Sequence, residues 1–502
     1  MKNISMWARI ALVLLSILML TATFAGCQSK EEEPKKTAEQ PAATEDLYDE
    51  AGYLKDGIPE NLNFNREFTI FCGYEQFWGQ GADPENTAGI DVVRQSIFSR
   101  NATVEERLGI ELKWVLQKNF QSSDQNVFMQ KIDADIQGAH EFDTIVSYNL
   151  LPYTLAQRGY CVNLANTKYI DLTAPWWPSV YIERLICNDQ VYALVSNSDH
   201  QTLSNISGIF FNKTILEDHQ IENPYDLVDN NEWTVGKLKE LIKGTYQDLN
   251  NNGKADKEDQ FGLATSTNAR LTCWYFGMGV KLVTKNGDGE LELTVNDERT
   301  GQAIDAVLDL FSTDDSFLID TCNVDSNFGM FMDERVAFYL AVLYLPELVS
   351  DKNLDINYGA VPHPKLDSSQ EQYYTHIPNN HPAWYVPTSA EDKDCSSAVV
   401  ECMSSEGFRQ VEPVYYETCI KLRFAPDERL ADMYDLMRKS ITFDFNYVFR
   451  FVFAKDVDSH IRNCIAKPNQ YKWATVWEGI RVSVENDFQK ILETYAERDT
   501  EQ

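Results

Sequence analysis

Apolar residues along this chain fall into short runs that switch between two periods. Phe68–Cys72 is a compact apolar run with polar flanks, which predicts a buried strand. From Asp91 to Leu108, Val93, Ile97, Val104 and Leu108 recur on one helical stripe, and Gly109 ends it. Ile110–Trp114 then alternates like a strand. Phe128–Ile136 returns to the helical period, and Phe142–Val146 reads as a strand again. A second such region begins near Gln190–Leu194 and Gly208–Asn212. Thr234 is placed to cap a helix with Val235, Leu238, Leu241 and Ile242 on its apolar face and Gly244 beyond its end. Lys281–Val295 holds two alternating runs around Asn286-Gly-Asp-Gly289, a hairpin signal. After about Asp394 the pattern is mainly helical, and no internal repeat is visible. Strand and helix in alternation predict an α/β fold.

The amino terminus follows a different pattern. Lys2 and Arg9 precede the apolar stretch Ile10–Leu20, which is too short to span a bilayer stably. Phe24-Ala-Gly-Cys27 follows and resembles a lipobox, with Phe where Leu is usual. Residues 1–27 therefore read as a lipoprotein signal peptide ending at a lipidated Cys27. The rest of the chain is then expected outside the cytoplasm, held to the cell membrane only by lipid. An ordinary cleaved signal peptide with an incidental cysteine is the competing reading. Gln28–Asp46 has no aromatic residue and no apolar period, so residues 28–54 are expected to be a disordered linker.

The 502 residues are 43% hydrophobic, enough for large cores and at least two lobes. Acidic residues outnumber basic ones 77 to 44, a formal charge of −33, which argues against nucleic acid as a partner. Nine cysteines follow Cys27 with no CxxC pair, so no zinc or thioredoxin-type site is indicated. Their apolar neighbours predict buried thiols.

The strongest chemical motif is the segment Asp248–Asp259. Asp248, Asn250, Asn252, Asp256 and Asp259 occupy positions 1, 3, 5, 9 and 12 of an EF-hand-type loop, with Gly253 at position 6. Lys254 would add its backbone carbonyl at position 7. A hard cation needs six or seven oxygens at close range, and the glycine permits the turn that gathers them. The spacing predicts a structural Ca2+ site, with Asp rather than Glu at position 12; a metal-free Asx-rich turn is the alternative.

Several segments, in order, resemble the carbohydrate-binding family of extracellular solute-binding proteins of ABC importers, in its long Gram-positive branch with a calcium loop. They are Asp56–Phe64, Arg100-Asn101 with Val104–Arg107, Phe142-Asp143, Asp171–Trp177 with its Pro-Trp-Trp run, Gly208–Lys213 and Tyr358–Lys365. The resemblance implies a two-lobed, periplasmic-binding-protein-like (type II) α/β fold with hinge crossovers and a helical carboxyl-terminal part. It assigns residues 55–165 and 325–380 to lobe one, and 166–324 and 381–502 to lobe two. It further implies a monomer without enzymatic activity that captures a carbohydrate, by analogy an oligosaccharide, and delivers it to permease transmembrane subunits.

Sugar sites pair aromatic platforms with planar polar side chains, and in this fold the ligand lies at strand carboxyl ends. The resemblance thereby makes Tyr74, Trp78, Tyr148, Trp274, Tyr275, Arg335, Tyr339 and Trp384 ligand candidates, with core packing as the competing role of each ring. Trp176 and Trp177 are expected to pack rather than touch ligand. A secreted glycoside hydrolase or lyase and an adhesion lipoprotein are the other classes. The chain carries no HExxH, GxSxG elbow, phosphate-cradling loop or His/Cys cluster.

Overall fold

The computed structural model describes residues 47–73, 92–118, 122–197, 199–267, 270–319, 324–379, 381–425 and 427–499. The chain divides into two units, Met1–Leu54 and Lys55–Gln502. In the first, the described residues close a small turn. Tyr48 bridges Leu54, and Asp49 Oδ1 accepts from the amides of Ala51 and Tyr53. Cys27 and residues 28–46 lie outside the described residues. Among the described residues, no helix is long and apolar enough to cross a membrane.

Lys55–Gln502 contains thirteen described strands: β1 Arg66–Cys72, β2 Ile110–Leu116, β3 Thr144–Tyr148, β4 Ser207–Asn212, β5 Phe261–Ser266, β6 Val283–Lys285, β7 Leu291–Leu293, β8 Ser316–Ile319, β9 Val336–Val342, β10 Tyr358–Val361, β11 Thr375–His376, β12 Pro382–Tyr385 and β13 Ile441–Thr442. One sheet has the order β12-β3-β1-β2, with β1 parallel to both neighbours and β12 antiparallel on β3. The other has the order β10-β4-β9-β5-β8, with β5 parallel to β8 and β9, and β4 antiparallel to β9 and β10. The central strand β9 (VAFYLAV) is buried at all seven positions, as a strand paired on both edges and covered on both faces must be.

Most elements follow the pattern that predicted them. The helix Val92–Leu108 buries Val93, Ile97, Val104 and Leu108. Thr234 Oγ1 accepts from the Lys237 amide and caps Val235–Leu241, and Gly244 follows at φ +79°. The predicted hairpin is β6 against β7, with Asn286 Oδ1 accepting from the Asp288 and Glu290 amides. The eight described cysteines beyond Cys27 are buried, and no disulfide joins any two of them.

Two expectations differ from the structure. Gln190–Leu194 is not a strand; it makes single bridges, Cys187 to Gln190 and Leu194 to Trp384. Its apolarity reflects enclosure: Tyr192 packs edge-on against Tyr495, and Gln190 Nε2 donates to the Tyr495 carbonyl at 2.8 Å. Strand pairing also corrects the lobe boundaries. β9 and β10, placed by the resemblance in lobe one, pair with β4 and β5. β12, placed in lobe two, extends the sheet of β1–β3. The helix Lys393–Glu406 likewise packs on Val92–Leu108 beside that first sheet. β9, β10 and β12 are buried at every position and would suit either sheet, so strand order is a tertiary choice.

The chain crosses between the sheets in three places. The first leads from β3 to β4 and the second from β10 to β12. The third is helical: Lys393–Glu406 continues into π-helical turns at Gly407–Val411 and Pro413–Arg423, ahead of the helix Glu428–Lys439 on β10. π-Turns of this kind concentrate at functional positions.

Candidate functional site

The carboxyl ends of β1, β2 and β3 share an edge with the start of β12, where Tyr148 pairs with Pro382. In the other sheet the carboxyl ends of β5, β8 and β9 share an edge with the start of β4, where Ser207 pairs with Val342. Described side chains join the two edges in a seam. The Asn149 amide nitrogen donates to Asn379 Oδ1 at 3.3 Å, and Asn379 Nδ2 donates to the Tyr447 carbonyl at 3.1 Å. Ser207 Oγ lies 2.8 Å from His363 Nε2 and donates to the His376 carbonyl. The His376 ring stacks on Phe276 at 4.5 Å and meets Tyr447 edge-on at 4.6 Å.

His363, His376 and His381 all lie on the β10–β12 crossing. Burial pulls their imidazoles down to about 3, 3 and 4, so all three are neutral near pH 7. Neither His376 ring nitrogen has a partner among the described residues, nor does either amide atom of buried Asn446, one residue before Tyr447. Orphaned buried polar atoms carry a desolvation cost that a hydroxylated ligand or bound water relieves.

A charged cluster backs the seam. Asp458 is fully buried at the start of Val457–Ala466. It accepts from Thr272 Oγ1 at 2.5 Å and Tyr275 Oη at 2.6 Å, and pairs with Arg450 at 2.7 Å and Arg462 at 2.9 Å. Burial alone would raise its carboxyl, but the two guanidiniums outweigh it and bring it to about 2. Arg450 also lies over the Tyr447 ring at 5.4 Å, and Arg270 lies over Phe328 at 4.6 Å.

Of the ligand candidates, Tyr74 and Trp78 lie outside the described residues. Tyr148 stands half-buried at the seam, at the carboxyl end of β3. Arg335 does not: it precedes β9 at the opposite edge and pairs with Asp333 at 2.6 Å. Trp274, Tyr275, Tyr339 and Trp384 are enclosed. Trp274 packs edge-on against Phe311 at 5.8 Å, Tyr275 is taken by Asp458, and Tyr339 lies 6.1–6.3 Å from Phe331 and Phe328. Every residue of the helix Arg270–Gly277 is buried, so both its ring-bearing faces are packed. Trp384, mid-strand in β12, is 2% exposed beside a void of about 10 Å³, room for about one water. Asn149, His376, Asn379, Tyr447 and Asp458 escaped the sequence reading. The one local signal was the i,i+4 pair Asp458–Arg462.

Trp176 and Trp177 pack as expected, and their indole N–H groups each donate at 3.1 Å to one carboxylate oxygen of Glu401. Burial raises the Glu401 carboxyl to about 8. Nearby, Asp56 accepts from Arg107 at 2.7 Å and from Arg409 at 3.2 Å, joining the start of the body to two helical segments.

The Asp248–Asp259 loop has an EF-hand-like backbone. Asp248 accepts from the amides of Asn252 and Gly253 at 3.2 and 2.9 Å, and Asn251 and Gly253 take φ of +55° and +70°. Asn250 and Asn252 turn toward Asp256, with the Asn252 amide 2.7 Å from its carboxylate. Rotating each amide by half a turn presents its oxygen instead. Asp259 is committed elsewhere: fully buried, it accepts from the Leu249 and Asp256 amides and Tyr246 Oη. No group of three or more His, Cys, Asp or Glu among the described residues is arranged to hold a metal. Any ion here therefore relies on Asp248, Asp256, the two asparagine oxygens and the Lys254 carbonyl, a donor set suited to calcium.

No protein-family model matches the chain, and no curated protein matches it. Solved structures do. The GacH receptor of Streptomyces glaucescens, solved unliganded and with acarbose, aligns at TM-score 0.53 and 14% identity, over 86% of this chain and 99% of that one. The sugar-binding protein MalE of Xanthomonas citri aligns at 0.53 and 11%, over 86% and 98%. The cyclic α-maltosyl-1,6-maltose binding protein of Arthrobacter globiformis aligns at 0.53 and 12%, over 86% and 98%. The last two are described as sugar-binding proteins and the first as a receptor that takes acarbose. At such identities the likeness concerns the fold, and the chain has the two-lobed periplasmic-binding-protein-like fold that they share.

Proposed function

We propose that this chain is an extracytoplasmic solute-binding protein that captures a carbohydrate at the seam between its two sheets and hands it unchanged to an ABC permease. The observation that carries this reading is the opposition of two strand edges across three chain crossings, in a fold whose sugar-binding neighbours match nearly end to end. Opening about the crossings would expose Tyr148, Asn149 and Tyr447, a pairing of aromatic faces with planar amides that suits a pyranose. Closure on the ligand would then present one permease-competent form. Anchoring through Cys27 and a calcium ion in the Asp248–Asp259 loop belong to the same reading; the ion would hold the loop ahead of β5 without touching the sugar.

Calorimetry of the purified chain against a panel of oligosaccharides tests it. Saturable 1:1 binding without product is expected, and Tyr148→Ala should weaken it by about 1–3 kcal/mol. Release of shorter sugars would replace the reading with a carbohydrate-active enzyme.

A further inference from the structure

A recess of about 370 Å³ lies beyond the carboxyl end of the helix Arg270–Gly277. Tyr374 on its wall stands two residues before His376 of the seam, but none of Tyr148, Asn149, His376 and Tyr447 lines it. Lys281 and Thr284 come from the arm of the β6–β7 hairpin. Asp297 and Arg299 come from the start of the helix Glu298–Leu310, and Gln370, Gln372 and Tyr374 from the loop ahead of β11. The cavity falls within the size range of small-molecule sites.

Its wall is organised from behind. Arg299 Nε donates to the Met278 carbonyl at 2.7 Å and Nη2 to Gln370 Oε1 at 2.6 Å. Gln370, 6% exposed, is held in turn by the carbonyls of Gly277 and Gln372. Gln372 Nε2 reaches Tyr374 Oη at 3.0 Å. Gly279, at φ +81°, makes room: a Cβ there would stand 3.2 Å from the Tyr374 ring and 3.4 Å from Arg299 Nη2. These contacts leave the Tyr374 ring, the Thr284 hydroxyl and two cations at the cavity surface. Neither Lys281 nor Arg299 makes an ion pair among the described residues, in a chain where acidic groups outnumber basic ones 77 to 44. Two such cations beside an aromatic ring, with Asp297 and Glu371 as hydroxyl acceptors on the rim, match a sugar that carries a carboxylate.

We infer that this cavity is a second ligand site, separate from the seam, that takes a monosaccharide acid. The carboxylate meets Lys281 and Arg299, the ring face meets Tyr374, and the hydroxyls meet Thr284, Asp297 and Glu371.

Titration of the purified full chain with D-glucuronate and with D-glucose, by calorimetry and by soaking crystals, tests the assignment. Glucuronate should bind at the cavity and glucose about tenfold more weakly. Lys281→Gln should reduce that preference severalfold, leaving what Arg299 supplies, and Tyr374→Leu should weaken both sugars. Tyr148→Ala, which addresses the seam, should leave glucuronate binding intact. The assignment is overturned if glucuronate fails to bind at about 50 mM, if its preference over glucose is unchanged by Lys281→Gln, or if Tyr148→Ala abolishes it. The unmodified chain already compares the two sugars, so the test survives a variant that does not fold. Silence of the seam toward oligosaccharides would leave this result standing.

Discussion

Asp458 shows how much one buried side chain organises. It ties Thr272 and Tyr275 on one helix to Arg450 and Arg462 on the carboxyl-terminal segment. Asp458→Asn should cost about 3 kcal/mol in denaturant unfolding, since it leaves two guanidiniums facing a neutral amide. The pH sign follows from its depressed carboxyl: the stabilisation is complete above about pH 4 and is lost as pH falls toward 2. Glu401 has the opposite sign. Its carboxyl rises from the ordinary 4.5 to about 8, so the folded state holds the extra proton between those values. Stability should therefore decline as pH rises from about 4.5 to 8, by up to about 1.4 kcal/mol per pH unit from this group. Glu401→Gln should flatten that slope in thermal melts across the window, while its single amide oxygen keeps an acceptor for only one of the Trp176 and Trp177 indoles. At this scale the place of Tyr148 at a strand's carboxyl end was legible, because it closes an apolar run. Trp274 and Tyr275 were not, because ring-bearing residues look alike in sequence whether they face a ligand or a neighbouring helix.

At the scale of elements, local chemistry carried most of the information. The stripe Val93, Ile97, Val104, Leu108 became a buried helix face, Thr234 became a cap, and Asn286–Gly289 became a hairpin turn. The Asp248–Asp259 loop belongs here as well, because its fold is set by short-range Asx hydrogen bonds. Calcium added to chelator-treated protein should raise the melting temperature by a few degrees, and Asp248→Ala should remove the response. Asp259→Asn is expected to lower stability with or without the ion, since Asp259 binds backbone amides rather than a shared centre. Gln190–Leu194 marks the limit of element reading: five enclosed residues resemble a strand, yet Leu194 only bridges the sheet edge and the Gln190 side chain reaches the last helix.

At the scale of the molecule, the three crossings set the expected motion. A body of 448 residues, Lys55 to Gln502, has a compact radius of gyration of about 22 Å. If the seam opens and closes about the crossings, a bound oligosaccharide should shorten that radius by about 1 Å in solution scattering. An unchanged profile at saturating sugar would mean that capture requires no domain movement.

The amino-acid order by itself determined the α/β alternation, the caps and turns, the EF-hand-like spacing, the acidic surface and the buried thiols. Each is written in periods or spacings of a few residues, where backbone geometry and burial act locally. Only the tertiary structure decided that β9 and β10 join β4 while β12 joins β3, and that Asn149, Asn379 and Tyr447 meet at one seam. It also decided that two tryptophans share one glutamate. Those choices depend on which apolar surfaces of segments far apart in the chain close against each other, and no local pattern encodes that pairing.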